Sequence, residues 1–164
     1  MKINIKGIFH ERTEDAPFIG ALVCATSCNN NCYNCFNQHL KSDPIIKIED
    51  QKIINEILSN PFNKGIIFGG LEWTLQIEEL KQLIKLGREN NLQIMLYTGL
   101  DEEDFKIKFP EIYNIPNIYI KFGKYDERQK CENNIQFGVK LASKNQKIIY
   151  TRGGFCFVPK YVYE

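Results

Sequence analysis

The amino-acid sequence predicts an α/β fold: a small partial (β/α) barrel of about five to six mostly parallel strands with crossover helices. Three observations carry that expectation. Short apolar runs alternate with amphipathic stretches along the chain. No internal repeat, low-complexity tract or linker divides the 164 residues, so a single domain over 1–164 is expected. About five βα units fall short of a complete eightfold barrel, which takes about 250 residues, so a partial barrel or an open α/β sheet fits the length.

Residues 3–8 form a short first strand. Residues 18–24, Phe-Ile-Gly-Ala-Leu-Val-Cys, are a continuous apolar run, as expected of a strand buried on both faces. A helix is expected over about 49–59, where Ile53, Ile54, Ile57 and Leu58 share a face and Pro61 blocks continuation. Residues 65–68 read as a strand ending at Gly69-Gly70. The clearest helix covers 75–89, with Ile77, Leu80, Leu83, Ile84 and Gly87 on one stripe and Thr74 as its N-cap. Residues 93–97 form a strand that ends at Thr98-Gly99, and Asp101 caps a short helix to about 108. Strands at 117–121 and 147–151 complete the pattern.

Composition excludes several classes. Lys plus Arg is 21 and Asp plus Glu is 20, so a net charge of +1 gives no electrostatic case for nucleic acid as a partner. No apolar run reaches the about 18 residues of a membrane span, and no secretory signal is apparent. Six cysteines are unevenly placed, with Cys24, Cys28, Cys32 and Cys35 together and Cys131 and Cys156 far away. Clustered cysteines without a signal peptide point to metal or redox chemistry in the reducing cytoplasm.

In a parallel α/β sheet, ligands sit beyond the carboxyl ends of the strands. The cysteine loop, Gly69-Gly70, Thr98-Gly99 and Lys121 to Lys124 each follow a different expected strand. All four therefore fall on one edge.

Cys28-Asn-Asn-Asn-Cys32-Tyr-Asn-Cys35 is the strongest signal. Three thiolates at this spacing can point inward from one loop and hold three irons of a four-iron cluster, leaving the fourth open. Asn29, Asn30, Asn31 and Asn34 suit a loop that visits left-handed conformations. A structural zinc site, completed by Cys24 or His39, is the alternative, and would make the chain a non-enzymatic adaptor. Cys24 reads as a small core residue, and Cys131, Cys156 and His10 have no metal-like partners at suitable spacing.

The three-cysteine spacing resembles that of the radical S-adenosylmethionine (SAM) enzymes. Cys35-Phe36-Asn37 is similar to one branch, the activating proteins of anaerobic ribonucleoside-triphosphate reductases. Phe68-Gly69-Gly70-Leu71-Glu72 resembles that family's Gly-Gly-Glu segment, here with Leu71 inserted and Trp73 where proline is usual. Tyr97-Thr98-Gly99 looks like its Trp-Thr-Gly strand end. Tyr119 to Tyr125 and Ser143-Lys144-Asn145-Gln146 resemble later segments. The family's Asp-Gly-Pro-Gly is reduced to Asp15-Ala16-Pro17-Phe18, and Gly20 stands near its usual arginine.

The resemblance implies a single radical SAM domain and an oxidoreductase. Cys28, Cys32 and Cys35 would hold a [4Fe-4S] cluster whose open iron takes the amine and carboxylate of S-adenosylmethionine. Tyr33, Phe36, Gly69, Gly70, Glu72, Thr98 and Lys121 would contact that cofactor, with Tyr33 or Phe36 near the adenine and Glu72 on the amine. Reductive cleavage would give a 5′-deoxyadenosyl radical that takes a hydrogen atom from a glycine of a large reductase. A flavodoxin-type protein is the implied electron donor. Another protein, a peptide or a small molecule as target is the alternative within the same chemistry.

Overall fold

A computed structural model describes residues 1–29 and 38–152. Its centre is a six-stranded sheet. In chain order the strands are β1 (Lys2–Ile5), β2 (Gly7–Arg12), β3 (Gly20–Cys24), β4 (Ile46–Glu49), β5 (Gly65–Gly69), β6 (Gln93–Tyr97), β7 (Pro116–Phe122), β8 (Lys130–Gln136), β9 (Val139–Ser143) and β10 (Lys147–Arg152). The central sheet has the order β10-β7-β6-β5-β3-β2. Strands β3, β5, β6 and β7 are parallel neighbours. The edges β2 and β10 run antiparallel to them. Strands β1 and β4 form an antiparallel pair, as do β8 and β9.

The helices α1 (Asp50–Leu58), α2 (Ile77–Glu89), α3 (Glu102–Lys108) and α4 (Pro110–Tyr113) fill the connections between the parallel strands. Each parallel strand lies beside its predecessor in the chain. Right-handed crossovers in that order keep the helices on one face of the sheet. Side-chain alternation shows the result. Val23, Ile66, Phe68, Ile94, Leu96 and Ile120 join one buried cluster with Ile53, Ile57, Leu80, Leu83 and Phe105 of the helices. Ile67 and Met95, from the opposite face, join a second cluster with Phe18, Val139, Leu141 and Ile148. Both faces of the central strands are therefore buried, which is why they read as unbroken apolar runs. The layers are helices, sheet and the β8–β9 hairpin.

Several expected elements change. The strand expected over 3–8 is two strands in different sheets. Lys6 separates them: its amide donates to Cys24 O at 2.9 Å and its ammonium reaches Asp43 O. The helix expected over 75–89 begins as a 3-10 turn, Trp73–Gln76, and Thr74 is not its cap. The Glu72 carboxylate accepts from the Thr74 amide instead, so the turn starts earlier. In the expected mostly parallel sheet both edge strands run antiparallel, β10 because a hairpin rather than a helix precedes it. That hairpin and β4 were not expected. Phe137 and Gly138 turn the hairpin, with φ of 51° and 79°, the pair of positive values a tight two-residue loop needs. Strand β8, Lys-Cys-Glu-Asn-Asn-Ile-Gln, is too polar to announce itself by hydrophobicity.

Candidate functional site

The loops beyond β3, β5, β6 and β7 meet at one edge of the sheet, and backbone hydrogen bonds tie the first to the second and the third to the fourth. Ala25 N donates to Gly69 O at 3.0 Å and Glu72 N to Ser27 O at 2.8 Å. Thr98 N donates to Lys121 O at 2.9 Å and Gly123 N to Leu100 O at 2.8 Å. The Thr26 amide and hydroxyl both donate to Gln76 Oε1, which fixes the approach to Cys28. Between these loops and the hairpin lies a cleft of about 530 Å³. Cys28, Gly69, Gly70, Glu72, Thr98 and Lys121 all line it. Six residues singled out from sequence are thus brought together. Cys32, Cys35, Tyr33 and Phe36 lie outside the described residues. Among the described residues no group of three or more His, Cys, Asp or Glu side chains gathers around a metal position.

Gly70 is placed by two constraints. Its φ is +79°, and a Cβ there would sit 2.7 Å from both Cβ and Sγ of Cys24. Any side chain would push the loop off the end of β3. The Cys24 thiol itself is fully buried, and burial pushes its pKa up to about 11. It belongs to the core, as its place in an apolar strand indicated, and is a poor thiolate ligand for a metal.

Glu72 is 5% exposed, so it is not a solvated residue at a helix start. Its Oε1 accepts from the Gly99 amide at 2.8 Å. Its Oε2 accepts from the Thr98 hydroxyl at 3.0 Å, the Thr74 hydroxyl at 2.8 Å and the Thr74 amide at 3.3 Å. This carboxylate joins the loop after β5 to the loop after β6. Trp73 supports it from below. The indole N–H donates to Val23 O at 3.0 Å, and the ring meets Phe68 edge-on with centroids 5.3 Å apart. Trp73 is therefore a buried brace between β3 and β5.

Lys121 is 7% exposed and is not a surface charge. Its ammonium donates to Gly123 O at 2.7 Å and lies 5.4 Å from the centre of the Tyr97 ring. The Tyr97 hydroxyl donates to Asp15 O at 2.5 Å, and burial raises its pKa well above the ordinary phenol value. Arg12 pairs with Asp15 at 2.6 Å, and both line the cleft.

Sequence reasoning missed the outer wall. Cys131, which has no metal-like partner at suitable spacing in the sequence, lines the same cleft from β8 with Lys130 and Glu132, and Lys140 lines it from β9. The signal for it was the alternation Val139, Leu141, Ser143 after Gly138, which reveals the returning strand and hence its polar partner. His10 pairs instead with Glu56 at 2.9 Å and Asn63 at 2.8 Å, and His39 sits in the 3-10 helix Gln38–Ser42.

This edge suits an iron–sulfur cluster: a partly exposed Cys28 enters a cleft floored by side-chain-free backbone, with apolar Leu22, Ile67 and Leu71 beside it. No helix among the described residues is long and apolar enough to cross a membrane. No curated protein matches the chain. A family model described as a 4Fe-4S single cluster domain matches residues 19–149, which takes in the parallel strands β3, β5, β6 and β7, the cysteine loop and the loops beyond those strands. On that match the chain belongs to the 4Fe-4S single cluster domain family, and its cofactor is a 4Fe-4S cluster.

Proposed function

We propose that the protein is a radical SAM oxidoreductase that activates an anaerobic ribonucleotide reductase by generating a glycyl radical on it. The observation that carries this reading is the convergence of Cys28, the Gly69-Gly70 loop and the braced Glu72–Thr98 pair on one cleft. The sequential βα order supports a partial (β/α) barrel forming a single radical SAM domain over residues 1–164. Cys28, Cys32 and Cys35 would hold the cluster.

A cluster held by these cysteines would supply the one electron that reductive cleavage of S-adenosylmethionine to methionine and a 5′-deoxyadenosyl radical requires. The chain's own residues bind and orient. Gly69, whose missing Cβ would lie beside the cleft residues Leu22 and Tyr97, would leave the backbone open to the methionine end of the cofactor, while Gly70 shapes the loop against Cys24. Glu72 Oε1 accepts one hydrogen bond in the structure and retains a lone pair for the ammonium. Thr98 is held by that same carboxylate and lines the cleft beside it. Leu22, Ile67, Leu71 and Leu141 supply the apolar part of the cleft lining beside which the radical would form. Tyr33 or Phe36 would pack near the adenine. The partners in this reading are the reductase as substrate and a flavodoxin-type donor, in the cytoplasm.

Turnover tests it. Anaerobic protein reconstituted with iron and sulfide, then given dithionite and S-adenosylmethionine, should release 5′-deoxyadenosine. Cys32→Ala should abolish release. A wild-type chain that takes up zinc and no cluster would overturn the reading.

A further inference from the structure

Two charged side chains in the cleft are withdrawn from water: Glu72, whose carboxylate is met by four donors, and Lys121. The other cleft-lining cations, Arg12, Lys41, Lys124, Lys130 and Lys140, are exposed. Arg12 is paired with Asp15, and Lys140 with Glu132 at 2.6 Å. Solvent and salt screen such exposed charges heavily, whereas a buried one keeps most of its field.

Lys121 is also fixed in place. Gly123 O, which takes the ammonium, also accepts from Gln146 Nε2 at 3.2 Å. The Tyr97 ring holds the ammonium from its face, and the Lys121 carbonyl accepts the Thr98 amide. The cation therefore stands beside the loops that carry Glu72 and Thr98, in the cleft that Cys28 enters.

A four-iron cluster on three thiolates carries net negative charge. Taking one electron from a low-potential reductant adds one further negative charge and breaks no bond. A fixed nearby cation stabilises the reduced form over the oxidised one, so it raises the reduction potential. We propose that Lys121 is a positioning residue that sets the cluster's reduction potential by its buried charge. This role is separate from any contact with S-adenosylmethionine, and it rests on the cluster reading above.

The test is a reductive titration of the reconstituted cluster without S-adenosylmethionine, followed by electron paramagnetic resonance. Lys121→Gln keeps a donor for Gly123 O and removes the charge. It should weaken one-electron reduction on the order of tenfold, which is about 59 mV toward lower potential. Lys121→Arg keeps the charge and should stay near wild type. Lys124→Gln, at an exposed rim position, should change little. Lys121→Met removes charge and donor together, and either charge-free chain that binds a cluster decides the matter. Equal potentials in wild type and a charge-free variant would overturn the proposal. So would an equal fall in Lys121→Arg and Lys121→Gln, which would mark a structural role. Failure of the wild-type chain to assemble a cluster would instead overturn the cluster reading on which the proposal stands.

Discussion

Replacing Cys28 by alanine is expected to remove the four-iron cluster almost completely. With one of the three proposed thiolates gone, the remaining pair would not hold a cubane against loss of iron. Iron and acid-labile sulfide per chain, with the visible charge-transfer absorption, read the result. The fold should persist, because Cys28 is partly exposed at the cleft mouth and only packs against the core from outside. Cys24→Ala should show the opposite pattern. Its thiol is buried against Gly70, so the variant should keep the cluster and lose stability by about 1–2 kcal/mol from the small cavity. If Cys28→Ala held a full cluster and Cys24→Ala lost it, the assignment of ligand and core cysteine would be reversed.

The second large effect belongs to Glu72→Ala. The side chain accepts four hydrogen bonds, two from backbone amides and two from threonine hydroxyls. Removing it leaves the Gly99 amide without that acceptor in a partly buried place and unties the loops after β5 and β6. Hydrogen bonds to a charged group are worth about 1.5–3 kcal/mol each, but these share one carboxylate and are not additive. A loss of about 2–4 kcal/mol in urea unfolding is expected. 5′-Deoxyadenosine release should fall by at least tenfold, since both loops line the cleft proposed to take S-adenosylmethionine. Were Glu72 a solvated helix-start residue, the change would stay within about 0.5 kcal/mol.

Glu72 also shows what the sequence conveyed and what it withheld. The family-like Gly-Gly-Glu segment was legible, but one residue out of step. Nothing in the linear pattern said that Trp73 would turn inward and hydrogen-bond β3, or that Thr98 would supply the carboxylate's partner. Those are long-range contacts, 50 and 26 positions apart. The parallel strands were legible for a simple physical reason: burial on both faces leaves a continuous apolar run. Their convergence at one edge followed from topology alone. The hairpin wall was hard to read because β8 is polar and half-exposed, and only the alternation Val139, Leu141, Ser143 of β9 marks it. Cys131 was lost with it. Lys121 was named as a candidate, but its burial depends on Tyr97 in the neighbouring strand and Gly123 in the following turn, and composition carries no trace of either.

The most direct test of the central claim is whether S-adenosylmethionine binds the cluster itself. The reduced, reconstituted protein would be frozen with and without the cofactor, and its electron paramagnetic resonance spectrum recorded. The account predicts a distinct spectrum on addition, because the amine and carboxylate would ligate the iron that no cysteine holds. An unchanged spectrum from a fully assembled and reduced four-iron cluster would contradict it.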